Sequence, residues 1–171
     1  MECRQMSFRF RISQVMHDEH MAASAMLRDV EGLLAGAGRN PPDATIAAIA
    51  ATLTKAADAL EGEVKDHFNF EEEALFPLLA EHGVPEIGAR LTSEHRIIEP
   101  LAEQVIMGSR AALSGGFSDE SWNTFRTAAA DLVTNLSAHI DKEEMALLPM
   151  LEDVLDAETD MAFTDRHGNL D

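Results

Sequence analysis

The chain has 171 residues and sets 13 basic against 31 acidic side chains, a formal net charge of −18. That length supports one domain with a core of its own, and the single Cys3 rules out an internal disulfide framework or a CxxC zinc or redox motif. So acidic a surface repels phosphate backbones and anionic bilayers, which argues against nucleic acid and membrane as partners, and no apolar run approaches the roughly 18–20 residues that cross a bilayer.

The opening stretch MECRQMSFRFRISQ carries Arg4, Arg9 and Arg11 and lacks the uninterrupted apolar run of a secretory leader. A cytoplasmic protein is expected, with residues 1–11 as an extended N-terminal arm. Hydrophobic content of 46%, nine Met, one Trp and no Tyr favour a helical globular chain. A first helix is expected over about 12–35, ended by the breaker cluster GAGRNPP. Pro41, Pro42 and Asp43 then supply start signals for a second helix reaching about His82. A third runs from about Pro85 to Leu113, and a fourth, with Ser118 as its N-cap, from about Asp119 to Leu155. Residues 156–171 read as a polar tail or short docking segment.

Apolar residues recur at helical spacing: Ile46, Ile49, Leu53, Leu60, Val64, Phe68, Leu75 and Leu78 in the second segment, and Phe125, Ala128, Leu132, Leu136, Ile140, Leu147 and Leu151 in the fourth. Four such helices on short loops predict an all-α, up-down-up-down four-helix bundle over 12–155. One length does not match. Fifteen residues separate His20 from the end of the first helix, yet 24 separate Asp43 from His67. The second helix must project about two turns or begin later than Asp43.

An internal repeat carries the chemistry. DEH at 18–20 recurs as SEH at 93–95, and HFNFEEEALFPLLAE from His67 recurs as HIDKEEMALLPMLED from His139. Both long copies read H-x-x-x-E-E-x-A-L-x-P-x-L. His67 and Glu71, and likewise His139 and Glu143, stand four residues apart on one helix face. At one height in a bundle, His20, His67, His95, His139, Glu71 and Glu143 converge in the core. Burying two carboxylates costs several kcal/mol each unless they are balanced, and no Lys or Arg lies four residues from either. A cation is the natural resolution. Imidazole with carboxylate suits iron or manganese, and also zinc. Two octahedral ions need about twelve ligand positions, which four His and two bridging carboxylates fill in part, leaving a bridging solvent and an open position. Ferritin-like carboxylate bundles use Glu-x-x-His instead.

With those residues in view, the sequence resembles the hemerythrin-like (HHE cation-binding) domains across about 12–155. The resemblance implies a four-helix bundle holding a non-haem di-iron centre, with His20, His67, His95 and His139 as imidazole ligands and Glu71 and Glu143 as bridging carboxylates. It implies binding of, or reaction with, dioxygen, nitric oxide or peroxide, for sensing, storage or scavenging; the alternative readings are a metal-dependent regulatory or iron-handling module, or a redox enzyme turning over peroxide or nitric oxide. The invertebrate oxygen carriers have a further His one turn after the third-helix ligand. Glu99 stands there in this chain and is a seventh candidate ligand. The carriers also use a longer last spacing that ends in Asp, where this chain has His139 and Glu143.

Other residues are expected to play lesser parts. His17 reads as a support or surface residue rather than a ligand, and Glu72 and Glu144 as solvent-facing or supporting. His82 and His167 read as surface. Met16, Met21, Met26, Met107, Met145 and Met150 read as core fillers. Pro100 predicts a kink in the third helix, and Pro77 and Pro149 a bend below the site. Phe68, Phe76 and Leu136 are candidates for a dry wall beside the ions.

Overall fold

The computed structural model describes residues 8–169, apart from the side chain of Glu63. Among them no strand occurs, and five helices form the fold. α1 is Arg11–Ala37 and α2 spans residues 47–81. α3 is Pro85–Gly115, α4 spans residues 119–154 and α5 is Ala157–His167. Most of the expected N-terminal arm, residues 1–7, lies outside the described residues. Among the described residues no helix is long and apolar enough to cross a membrane.

The ends follow local chemistry. Gly38, at φ 58°, closes α1 by donating its N–H to the Leu34 carbonyl. Asp43 then accepts from the Thr45 N–H and hydroxyl in a tight turn, so α2 starts at Ala47 rather than Asp43. That removes most of the length mismatch, and it leaves Ile46 ahead of the helix and exposed. Ser118 and Ser121 exchange hydrogen bonds in a capping box at the start of α4. α3 continues through Pro100 without a break.

Neighbouring helices run antiparallel. Asp29 meets Lys55 while Glu19 meets His67. Arg110 meets Asp58 while Glu72 meets His95, and the third hairpin follows the same rule through His95–His139 and Gly108–Phe125.

The core is divided in two. Toward one end, Met26, Val30, Leu53, Val105, Trp122, Phe125 and Leu132 pack together; toward the other, Ile12, Met16, Phe70, Leu79, Leu91, Leu147 and Leu151 do so. On every long helix the histidines and glutamates of the repeat fall between these clusters. His20 lies between Met16 and Met26, His95 between Leu91 and Ile98, and Glu143 between Ile140 and Leu147. Each fully buried Leu or Phe contributes about 1.5–3 kcal/mol, so two apolar blocks clamp a polar layer.

Met16 and Met26 are core residues, as expected, but Met21, Met107 and Met145 are exposed. Met145 follows the buried Glu143 by two residues, and Met107 follows the buried Val105 by two. A step of two turns about 200° around a helix and points outward.

Two glycines separate packing from propensity. A Cβ on Gly88 would stand 2.7 Å from Phe76 Cβ, whereas one on Gly32 meets nothing within 4 Å. Gly32→Ala is expected to raise stability by about 0.5–1 kcal/mol and Gly88→Ala to lower it by about 1–3 kcal/mol through separation of α2 and α3. Thermal melts of the two variants check the opposite signs.

Candidate metal centre

Six side chains from four helices meet in the polar layer: His20 from α1, His67 and Glu71 from α2, His95 from α3, and His139 and Glu143 from α4. All six are buried. They form two groups. His20 and His67 stand with Glu71 and Glu143, and His95 and His139 stand with the same two glutamates. Glu71 turns Oε1 to His67 Nε2 at 3.4 Å and Oε2 to His95 Nε2 at 3.3 Å. Glu143 turns Oε2 to His20 Nε2 at 2.9 Å and Oε1 to His139 Nε2 at 2.7 Å. Each carboxylate therefore spans both groups, one oxygen to each.

The donors fit metal ions. The two histidines of each group face one another through Nε2 at 3.1 Å. Two imidazole nitrogens bound at right angles to one ion at about 2.1 Å lie about 3.0 Å apart. All four oxygens of Glu71 and Glu143 are buried without a hydrogen-bond partner, a costly arrangement unless a cation answers it.

Every Nδ1 is held from behind by a carboxylate. His20 faces Glu144 at 2.6 Å, His67 faces Glu19 at 2.6 Å, His95 faces Glu72 at 2.7 Å and His139 faces Glu94 at 3.0 Å. An ionised carboxylate only accepts, so each Nδ1 carries the proton and the Nε2 lone pair is free to face an ion. The carboxylates are held in turn. Arg96 grips Glu72, Lys142 reaches Glu94 at 2.8 Å, His17 reaches Glu144 at 2.8 Å and His167 reaches Glu19.

The electrostatics follow from this nesting. Burial opposes charge on Glu19, but hydrogen bonds from His167 and His67 outweigh it and bring the pKa down to about 2. Burial likewise opposes charge on Glu143, yet the His139 and His20 rings hold it below the usual carboxylate range. Desolvation works against a charged His67, but Glu71 and Glu19 raise it well above its ordinary value.

Glu71 and Glu143 each open a π-helical turn, and a third such turn, Leu60–Val64, lies earlier in α2. Glu71–Leu75 and Glu143–Leu147 are closed by hydrogen bonds from Phe76 N–H to Glu71 O and from Leu148 N–H to Glu143 O. Such turns cluster at functional sites. Pro77 and Pro149 follow immediately, where the widened turn accommodates a residue without an N–H.

The seventh candidate, Glu99, joins neither group. Its carboxylate pairs with Arg96 at 3.1 Å and its side chain is 43% exposed. His17, Glu72 and Glu144 support ligand histidines, while His82 stays on the surface. His167 departs from expectation: its side chain is 12% exposed and touches Glu19. Glu19 and Glu94 are functional neighbours that periodicity did not single out, although each immediately precedes a repeated His, and that acid–His doublet is the signal that could have found them.

A cavity of about 20 Å³ lies against His20, His67, His139 and Glu143 and is walled by Ala23, Ala59, Val64, Phe68, Leu136 and Ile140. Phe68 and Leu136 form part of the dry wall, as expected. Phe76 packs elsewhere, 5.8 Å from the His95 ring, while Phe68 stacks on that ring at 3.8 Å.

A helical bundle with two His–Glu groups sharing their carboxylates offers the donor set for metal cations. The family model "Hemerythrin HHE cation binding domain" matches residues 11–151, and the chain belongs to that family. Comparison with curated proteins and with solved structures gave no match.

Glu71→Ala and Glu143→Ala are each expected to lower metal content and the thermal stability of the loaded protein, whereas Glu99→Ala leaves metal content unchanged. Elemental analysis after reconstitution tests all three.

Proposed function

We propose that the protein is a non-haem di-iron protein that binds or reacts with dioxygen, nitric oxide or peroxide in the core of an up-down-up-down bundle formed by α1–α4. The observation that carries this reading is the sharing of Glu71 and Glu143, whose two oxygens are divided between two histidine pairs. One ion needs no such division; two ions bridged by both carboxylates do. His20 and His67 would hold one and His95 and His139 the other.

Each group offers two nitrogens and two carboxylate oxygens, four donors for an ion that takes about six. The remaining positions fall to solvent and to the incoming ligand. Bound ferrous iron supplies the electrons and an open coordination position. The protein supplies the rest. Glu71 and Glu143 offset the ions' charge and fix their separation. Glu144, Glu19, Glu72 and Glu94 hold each imidazole in the tautomer that turns Nε2 inward. Val64, Phe68, Leu136 and Ile140 give the adjoining cavity an apolar wall, and its volume of about 20 Å³ suits a ligand of only a few atoms. Manganese or zinc would suit the same donors, and the family resemblance favours iron.

The surface position of Glu99 weighs toward reaction or handling over reversible carriage, because neither group gains the extra imidazole found in the oxygen carriers. Anaerobic reconstitution should yield two iron ions per chain and a charge-transfer band on exposure to air. A band that disappears when oxygen is withdrawn supports reversible binding. Oxidation with no persistent adduct supports turnover or scavenging. Uptake of zinc or manganese in place of iron, or one ion per chain, would sink the di-iron reading.

A further inference from the structure

Three of the four carboxylates behind the histidines are gripped by a residue on the same helix as the histidine they support. Arg96 adjoins His95 on α3, Lys142 lies one turn from His139 on α4, and His17 lies one turn from His20 on α1. Each of these grips joins two of the four helices that carry the clustered histidines. The fourth is different in kind. Glu19, which holds His67 Nδ1, receives its second hydrogen bond from His167 Nε2, a residue 148 positions away on α5. α5 begins after residue 151, where the match to the family ends.

α5 is also fixed by contacts on the N-terminal side of His167. Asp156 caps it by accepting from the Thr159 N–H at 2.8 Å. Asp160 accepts from the Arg11 and Ile12 N–H groups, filling the N-terminus of α1, where Phe10 offers no side-chain cap. Phe163 meets Phe70 edge-on, the His167 ring lies 4.6 Å from the same Phe70, and Arg166 pairs with Glu73. No residue of α5 is fully buried, so its docking rests on these directed contacts rather than on a large apolar face.

We propose that α5 completes the His20–His67 metal group, with His167 as a positioning residue that orients Glu19 and, through it, the ring of His67. The inference rests on the metal reading above. It makes the two metal groups unequal: the His95–His139 group is supported entirely within the family's bundle, and the His20–His67 group depends on an added helix. A carboxylate held by one partner swings more freely than one held by two, and loss of such outer support typically costs 10–100-fold in metal affinity.

The test is a cobalt(II) titration of the full-length protein and its variants, followed by visible absorption, with bound metal counted after gel filtration. Wild type should take two equivalents. His167→Ala should keep one tight equivalent and bind the second 10–100-fold more weakly. His167→Gln, whose amide N–H can still reach Glu19, should recover most of that loss. Arg166→Ala, which removes a neighbouring α5 contact and leaves Glu19 untouched, should behave as wild type. Two tight equivalents in His167→Ala overturn the proposal, as does an equal loss in Arg166→Ala, which would make docking of the helix and not His167 responsible. No uptake by wild type would instead overturn the metal reading itself.

Discussion

The structure depends on two glutamates placed in the middle of a helical bundle, each facing two imidazoles. Glu71 and Glu143 are wholly buried, and among the described residues neither has an arginine or lysine against it. Four imidazoles surround them, and four more carboxylates stand behind the imidazoles. Behind the rings each Nδ1–H donates to a carboxylate, and that carboxylate accepts in turn from Arg96, Lys142, His17 or His167. Low dielectric strengthens every such contact, and it penalises any missing one equally. The layers therefore act together: removing an outer cation loosens a carboxylate, which frees an imidazole ring, which weakens the centre.

The same demand explains the backbone. A bridging glutamate must present both oxygens along the axis between two histidine pairs while its helix continues to bury leucines beyond the site. A π-helical turn beginning at the glutamate inserts one residue, which lets Leu75, Phe76, Leu79 and their counterparts Leu147, Leu148 and Leu151 return to the core. The proline that follows in each copy stands where the helical bonding is already interrupted. The two copies thus repeat a structural device as well as a ligand motif.

Much of this was legible in the sequence because chemistry and periodicity coincided. The four long helices, the breaker loops and the six clustered His and Glu side chains follow from apolar spacing and a repeated H-x-x-x-E-E. The late start of α2 was visible only as a length mismatch, since Pro41, Pro42 and Asp43 are good start signals that a competing Asx turn captured. Glu99 has the right spacing from His95, but spacing fixes a face and not a partner, and Arg96 holds the side chain at the surface. The role of His167 was invisible for a stronger reason. α5 lacks a buried stripe, so nothing in its pattern points inward, and its partner lies across nearly the whole chain. The outward methionines mark a similar limit: Met fits a core by composition, but a two-residue step from a buried position sets its direction.

Trp122 adds a practical consequence. It is the chain's single indole, fully buried, with its Nε1–H donated to the Gly38 carbonyl at 3.2 Å. Seventeen residues of α4 separate it from His139, about 25 Å along the helix axis. With no tyrosine in the chain, near-ultraviolet emission comes from one place, the loop end of the bundle. Fluorescence thus reports the melting of that end, while absorption by a bound ion reports the other region. Followed together during denaturation, the two signals would show whether the polar layer gives way before, with or after the apolar block beside it.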